Sequence, residues 1–187
     1  RRLNMDIKNL PNTLSVIRLA MVPLFAWLFL TGYIPAAVIV FIVAGATDVV
    51  DGYIARKYNC TSTLGKILDP LADKLLQMTA FLCLWYREYV PFWMPLIYLL
   101  KELGTVIGAF FIFRKSKIVV KSNFFGKLAT VLVFGAVFVI SMFHESIGTF
   151  GVNVICVLVA VYFVFSCGVY FGEDLIRIIR GVSKKKE

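Results

Sequence analysis

Four aspartates stand close together in a chain otherwise poor in charge: Asp48, Asp51, Asp69 and Asp73. The first two are spaced i, i+3 and the last two i, i+4, so each pair falls on one face of its helix. Carboxylates at or within the edge of a bilayer are costly, and they persist there for a functional reason and with a partner. Gathered together, four negative charges repel one another unless a cation intervenes. Ligands that offer only oxygen suit hard divalent ions, Mg²⁺ or Mn²⁺. The spacing therefore predicts a metal site at a membrane surface.

The residues around the aspartates extend that chemistry. Gly52 removes a side chain where a ligand can approach the backbone, and Ala55 leaves room one turn beyond Asp51. Arg56 supplies a planar fork suited to a phosphate. Ser62 offers a hydroxyl, and Gly65 lets the linker turn. Carboxylates, a cation, an arginine and small residues together suit a pyrophosphate-bearing substrate. With two metals and a spare carboxylate, the set allows in-line displacement at phosphorus. One aspartate must then accept the proton of the attacking hydroxyl. Simple ion pairing with Arg56, Lys57, Lys66 and Lys74 is the plainer reading, but it leaves the glycine and alanine spacing without a cause.

The elements that must position these groups are apolar helices. The chain of 187 residues is 60 % hydrophobic and 17 % charged, against about 45–50 % and about 25 % for soluble domains. Its mean hydropathy is +0.84. Six apolar blocks are long enough to span a bilayer, at roughly 11–31, 35–57, 67–86, 92–113, 125–143 and 149–172. Lys and Arg concentrate in 1–10, around 58–66, in 114–127 and in the 173–187 tail, whereas 32–34 and 144–148 have none and 87–91 has only Arg87. The positive-inside rule places both termini, the aspartates and the basic segments on the cytoplasmic side. The net charge of +9 thus follows membrane topology rather than nucleic-acid binding. Residues 1–10 fit a short interfacial helix before Pro11, and Met5 is a candidate native start after Arg1 to Asn4. The basic tail suits anionic headgroups.

The remaining features are weaker. Cys60, Cys83, Cys156 and Cys167 lack metal or redox spacing and are expected as small packing residues. His144 is expected in a short polar loop beside Glu145. Gly104/Gly108 and Gly168/Gly172 have GxxxG spacing, which permits close helix approach within the bundle or between protomers.

The pattern Asp48-x2-Asp51-Gly52-x2-Ala55-Arg56-x8-Gly65-x3-Asp69-x3-Asp73 resembles the complete signature of the CDP-alcohol phosphotransferases, with no position missing. That resemblance implies a six-helix membrane domain over 11–172 with cytoplasmic termini, in a bacterial inner membrane. It implies that Asp48, Asp51, Asp69 and Asp73 bind two divalent cations, Mg²⁺ or Mn²⁺, and that Asp73 is the general base. Gly52, Arg56 and Ser62 match positions that hold the CDP group. Asn12, in the segment from Pro11 to Leu14, Ala55 and Gly65 complete the expected CDP-diacylglycerol site. A homodimer is expected, with membrane lipid and an acceptor alcohol as the other partners.

Among family members the chain looks most like the small bacterial phosphatidylglycerophosphate synthases. The similarity lies in Pro11-Asn12-Thr13-Leu14 with Arg18, Asp69-Pro70-Leu71-Ala72-Asp73-Lys74, Lys101-Glu102 and Gly126-Lys127. Glycerol 3-phosphate, a small dianion, would need a basic pocket, for which Lys101, Arg114, Lys121 and Lys127 are the candidates. Ala129 stands where the synthase pattern carries another lysine. That substitution keeps open a cardiolipin-synthase-like enzyme, whose acceptor phosphatidylglycerol bears only a phosphodiester. The rival from another class is a small membrane cation transporter. It predicts acidic residues through the depth of several spans, whereas outside the motif the spans hold few besides Glu102.

Overall fold

The computed structural model is all-helical. It describes the backbone of residues 2–58, 65–116 and 124–183, and side chains within 15–47, 68–108 and 128–169 together with Gly126 and Gly172. Helix α1 covers Arg2–Leu30, α2 Ile34–Tyr58, α3 Gly65–Tyr86, α4 Trp93–Ser116 and α5 Phe124–Ser183. α5 is two helices that meet at Gly148. Each predicted apolar block thus has its helix. In a lipid-like environment this is the economical solution, because a helix satisfies its backbone polar groups within itself.

Three boundaries differ from the sequence reading. Residues 2–10 do not form a separate interfacial helix but run directly into α1. Pro11 lacks only its own N–H, and continuing the helix satisfies every other backbone group around it. The loop expected at 144–148 shrinks to Gly148, whose φ of 67° and ψ of 172° lie in a region essentially open only to glycine. One such residue suffices to break the helix, so His144 stays helical and its ring stacks on Tyr89 with centroids 3.7 Å apart. Beyond 172, α5 continues to Ser183, so most of the basic tail is helical.

α1 packs against α2 and α3, and α5 packs against α4, α2 and α3. An aromatic chain ties the bundle together: Phe25 meets Phe29 and Phe41, and Phe41 stacks on Phe134 of α5 at 4.4 Å. A close helix approach within the chain lies here. A Cβ on Gly45 would come 2.3 Å from the Phe134 ring, whereas Gly104, Gly168 and Gly172 face open space. Cys83 and Cys156 are buried packing residues, and with Cys167 they are free thiols; Cys60 lies outside the described residues.

The outer surface is apolar. Phe150, Val164 and Val131 are among many large hydrophobic side chains that face outward. The run Leu128–Val169 has a mean hydropathy of 2.5, and Ser15–Leu30 and Ile34–Thr47 are shorter apolar helices. This inside-out distribution suits a lipid surround and not water. At one end of the bundle the turns are tied together. Gly32, at φ 93°, closes the turn from α1 to α2, and its N–H bonds to the Phe29 carbonyl. Arg87 donates from Nη2 to the carbonyls of Phe29 and Leu30, both at 3.1 Å. The arginine that stands apart from the other basic residues therefore caps the C-terminus of α1.

Gly148→Ala should lower stability by about 1–3 kcal/mol, the range for backbone held outside its allowed regions. Gly104→Ala, with open space at its Cβ, should leave stability unchanged or raise it slightly. Thermal denaturation of the full chain in detergent compares the two, and equal melting temperatures would show that the Gly148 break is dispensable.

Candidate active site

Asp69 and Asp73 are one turn apart on α3, and Gln77 continues the same stripe one turn further. Beside it runs an apolar stripe of Ala72, Leu76, Ala80 and Leu84, all buried in the core. The helix thus carries polar groups along one line and fixes their depth with the line next to it. Asp73 lies eight residues into α3, about 12 Å along the helix axis at 1.5 Å per residue. Pro70 sits within this first part of the helix and leaves it helical.

Each carboxylate is met by a side chain from within the protein. Ser15 on α1 donates its hydroxyl to Oδ1 of Asp69. Arg18, on the same face of α1 one turn later, is fully buried. Oδ1 of Asp73 accepts a hydrogen bond from Nε2 of Gln77 at 2.9 Å. The amide oxygen of Gln77 accepts in turn from the Tyr98 hydroxyl of α4 at 3.0 Å. Lys74 lies 3.9 Å from Oδ2 of Asp73 and 3.0 Å from Glu102. Glu102 also pairs with Lys101 at 2.5 Å. The Lys101 ammonium lies over the rings of Tyr98 and Phe163, at 5.8 and 5.4 Å from their centroids.

The structure therefore joins three helices at this point. α1 supplies Ser15 and Arg18, α3 supplies Asp69, Asp73, Lys74 and Gln77, and α4 supplies Tyr98, Lys101 and Glu102. Of the predicted acceptor residues, Lys101 belongs to this network through Glu102 and Lys74. It also borders a cavity of about 290 Å³ with Ile97, Leu100, Phe163, Val164 and Cys167.

The other predicted site residues are located only by backbone or lie outside the described residues. Asp48, Asp51, Gly52, Ala55 and Arg56 fall in the last turns of α2, Asn12 on α1, Gly65 at the start of α3, Arg114 near the end of α4 and Lys127 at the start of α5. Their side chains are outside the described ones, and Ser62 and Lys121 are outside the described residues altogether. Among the described residues no group of three or more His, Cys, Asp and Glu side chains gathers around a common point. The donor set on α3 nonetheless fits a hard cation. Two carboxylates share a face, offer only oxygen, and are oriented by hydrogen bonds from Ser15 and Gln77.

Ser15, Gln77 and Tyr98 were not among the residues singled out from the sequence. Gln77 carried a signal, since it extends the i, i+4 spacing of Asp69 and Asp73 and places an amide in an apolar span. Ser15 directly follows the Asn12-Thr13-Leu14 segment. Tyr98 carried none, because only the packing of α4 on α3 brings it to Gln77.

The comparisons with known proteins agree on the chemistry class. The model of the CDP-alcohol phosphatidyltransferase family matches residues 8–166. A CDP-diacylglycerol–glycerol-3-phosphate 3-phosphatidyltransferase of Bacillus subtilis is 37 % identical over 137 residues, covering 65 % of this chain and 70 % of that protein. A cardiolipin synthase (CMP-forming) of Streptomyces coelicolor is 36 % identical over 130 residues, covering 66 % of this chain and 60 % of that one. A cardiolipin synthase (CMP-forming) / mitochondrial hydrolase fusion protein of Schizosaccharomyces pombe is 48 % identical over 91 residues, which are 49 % of this chain but only 15 % of the fusion. With a match that runs from residue 8 in α1 to residue 166 in the second half of α5, this chain belongs to the CDP-alcohol phosphatidyltransferase family.

Proposed function

We propose that this protein transfers a phosphatidyl group from CDP-diacylglycerol to an acceptor alcohol and releases CMP, with glycerol 3-phosphate as the acceptor. The observation that carries the reading is the pair Asp69 and Asp73 on one face of α3, each held by a separate hydrogen bond within a family of phosphatidyltransferases. The chain would cross the membrane six times, with both termini and the active site at the cytoplasmic face of a bacterial inner membrane, and would act as a homodimer. Residues 11–172 would form the membrane domain and 173–187 a basic extension against anionic headgroups.

In this reading Asp48, Asp51, Asp69 and Asp73 hold two divalent cations, Mg²⁺ or Mn²⁺. When bound, these would neutralise charge on the pyrophosphate and hold its oxygens. Asn12, Gly52, Ala55, Arg56, Ser62 and Gly65 form the CDP-diacylglycerol site, with the arginine fork on a phosphate and the small residues leaving room. The acceptor hydroxyl gives its proton to Asp73, and its oxygen bonds to the phosphorus that carries the diacylglycerol. The bond from that phosphorus to the CMP oxygen breaks, and CMP leaves with the electron pair. Lys101, Arg114, Lys121 and Lys127 form the acceptor pocket. The acyl chains of the donor run out between helices into lipid, which the apolar outer surface accommodates.

A second acceptor has a specific observation in its favour. Ala129, which replaces a lysine of the synthase pattern, is buried in the core, so this position adds no charge to the pocket. That fits phosphatidylglycerol, a phosphodiester, and cardiolipin synthases are among the similar proteins. Purified full-length protein given CDP-diacylglycerol, a divalent cation and either acceptor, with the lipid product identified, separates the two. Glycerol 3-phosphate should support CMP release, and release with phosphatidylglycerol alone would overturn the first acceptor. No release with any alcohol, alongside divalent-cation flux in liposomes, would favour a transporter over an enzyme.

Asp73→Asn should abolish CMP release while the protein remains folded, and full activity in that variant would remove Asp73 as the base. Ser15→Ala releases Asp69 from its hydrogen bond. It should raise the metal concentration needed for half-maximal CMP release about tenfold or more, as expected when a group that orients a metal ligand is lost. An unaltered metal titration would show that Ser15 does not serve the metal site.

A further inference from the structure

Two side chains that the proposed chemistry does not use are among the most enclosed polar groups of the described bundle. Gln77 and Tyr98 are each 1 % exposed. A buried amide and a buried phenol in an apolar helix bundle must find partners within the protein. Here each finds the other, and the chain they form ends on Asp73.

The direction of this chain is fixed by chemistry. A carboxylate can only accept, so the end of Gln77 that faces Asp73 must be its NH₂ group. That turns the amide oxygen towards Tyr98, whose hydroxyl then donates to it at 3.0 Å. The Tyr98 ring cannot easily swing away. It packs on Phe81 of α3 with centroids 5.1 Å apart and on Phe163 of α5 at 6.0 Å. Lys101 lies over the same ring. On the opposite side of the carboxylate, Oδ2 of Asp73 faces Lys74, itself held by Glu102.

We infer that Tyr98 and Gln77 form a positioning chain that fixes the orientation of the Asp73 carboxylate for the reaction. The inference rests on the proposed role of Asp73 and adds to it the two residues that aim it. Tyr98 acts only through Gln77: it keeps the amide from turning its oxygen towards the carboxylate, and Gln77 holds Oδ1 so that the carboxylate keeps one orientation. Neither residue belongs to the proposed donor or acceptor site, so losing either should impair the chemical step and leave substrate affinity in place.

The test is a double-mutant cycle on the full-length protein in detergent, with CDP-diacylglycerol, glycerol 3-phosphate and saturating Mg²⁺, following CMP. Tyr98→Phe keeps the ring and its packing and removes only the hydroxyl. Its kcat should fall about tenfold, and that of Gln77→Leu about 10–100-fold, with KM for both substrates unchanged. The double variant should be no slower than Gln77→Leu alone, because Tyr98 has no route to Asp73 once the amide is gone. Losses that multiply in the double variant, or that appear only in KM or melting temperature, would overturn the chain. Should Gln77→Leu fail to fold, a wild-type kcat in Tyr98→Phe alone would overturn it. Asp73→Asn separates the two levels. An active Asp73→Asn sinks the role of Asp73 and the chain with it, whereas an inactive one beside wild-type rates in Tyr98→Phe and Gln77→Leu sinks the chain alone.

Discussion

An ionised carboxylate inside an apolar helix bundle has to be met by the protein itself, because no water stands behind it to take over the hydrogen bonds. The polar stripe of α3 follows from that constraint. Asp69, Asp73 and Gln77 share one line of the helix, and the line beside it is apolar and buried. Whatever faces the stripe must bring donors, and α1 and α4 do so with Ser15 and Tyr98, a serine and a tyrosine in otherwise greasy helices. Lys74, Glu102 and Lys101 then connect as a set, in which Glu102 compensates the mostly enclosed Lys101 and the more exposed Lys74. The way α1 and α4 pack on α3 is therefore tied to the chemistry and not only to the shape of the core.

The two ends of the bundle show how this constraint divides the labour. At the end away from the aspartates, polar demands are local and backbone-based. Arg87 closes the carbonyls of α1, Gly32 makes the turn, and Gly148 breaks α5 in a single residue. Side-chain chemistry there is aromatic, with Tyr89 between Phe29 and His144 and Trp85 against Phe92. This end holds no paired carboxylates among the described residues. The acidic end instead carries groups aimed inwards from three helices, which is what a site for a charged substrate requires.

Much of this was legible in the sequence, for physical reasons that can be traced. Apolar blocks about twenty residues long report helices directly, because in lipid length and hydropathy leave little else possible. The spacing of Asp69 and Asp73 likewise showed that they share a face of α3, because the helical period fixes which residues lie together. The boundaries were less legible where one residue decides them. Gly148 looks like any other glycine until its φ of 67° is known, and Pro11 suggested a helix start that the continuous α1 does not respect. The GxxxG pairs were less legible for a related reason: spacing shows that two glycines share a face, not which helix lies against it. Gly45, with no such motif, is the glycine that meets Phe134. Tyr98 was invisible because its partner is on another helix, 21 positions earlier.

The same network bears on the acceptor. Lys101 was attractive as a phosphate ligand because a lone ammonium within an apolar span demands an explanation. The structure supplies one without any substrate, since Glu102 takes Lys101 and Lys74 together while Lys74 also faces Asp73. Two lysines against two carboxylates leave no net positive charge in this set. A phosphomonoester brings two negative charges into the site and a phosphodiester only one. Lys101 can meet the extra charge only by loosening its pair with Glu102, which would keep Lys74 as its partner. Ala129 adds nothing on its side. In the proposed function, the further cations that would favour glycerol 3-phosphate are Arg114, Lys121 and Lys127.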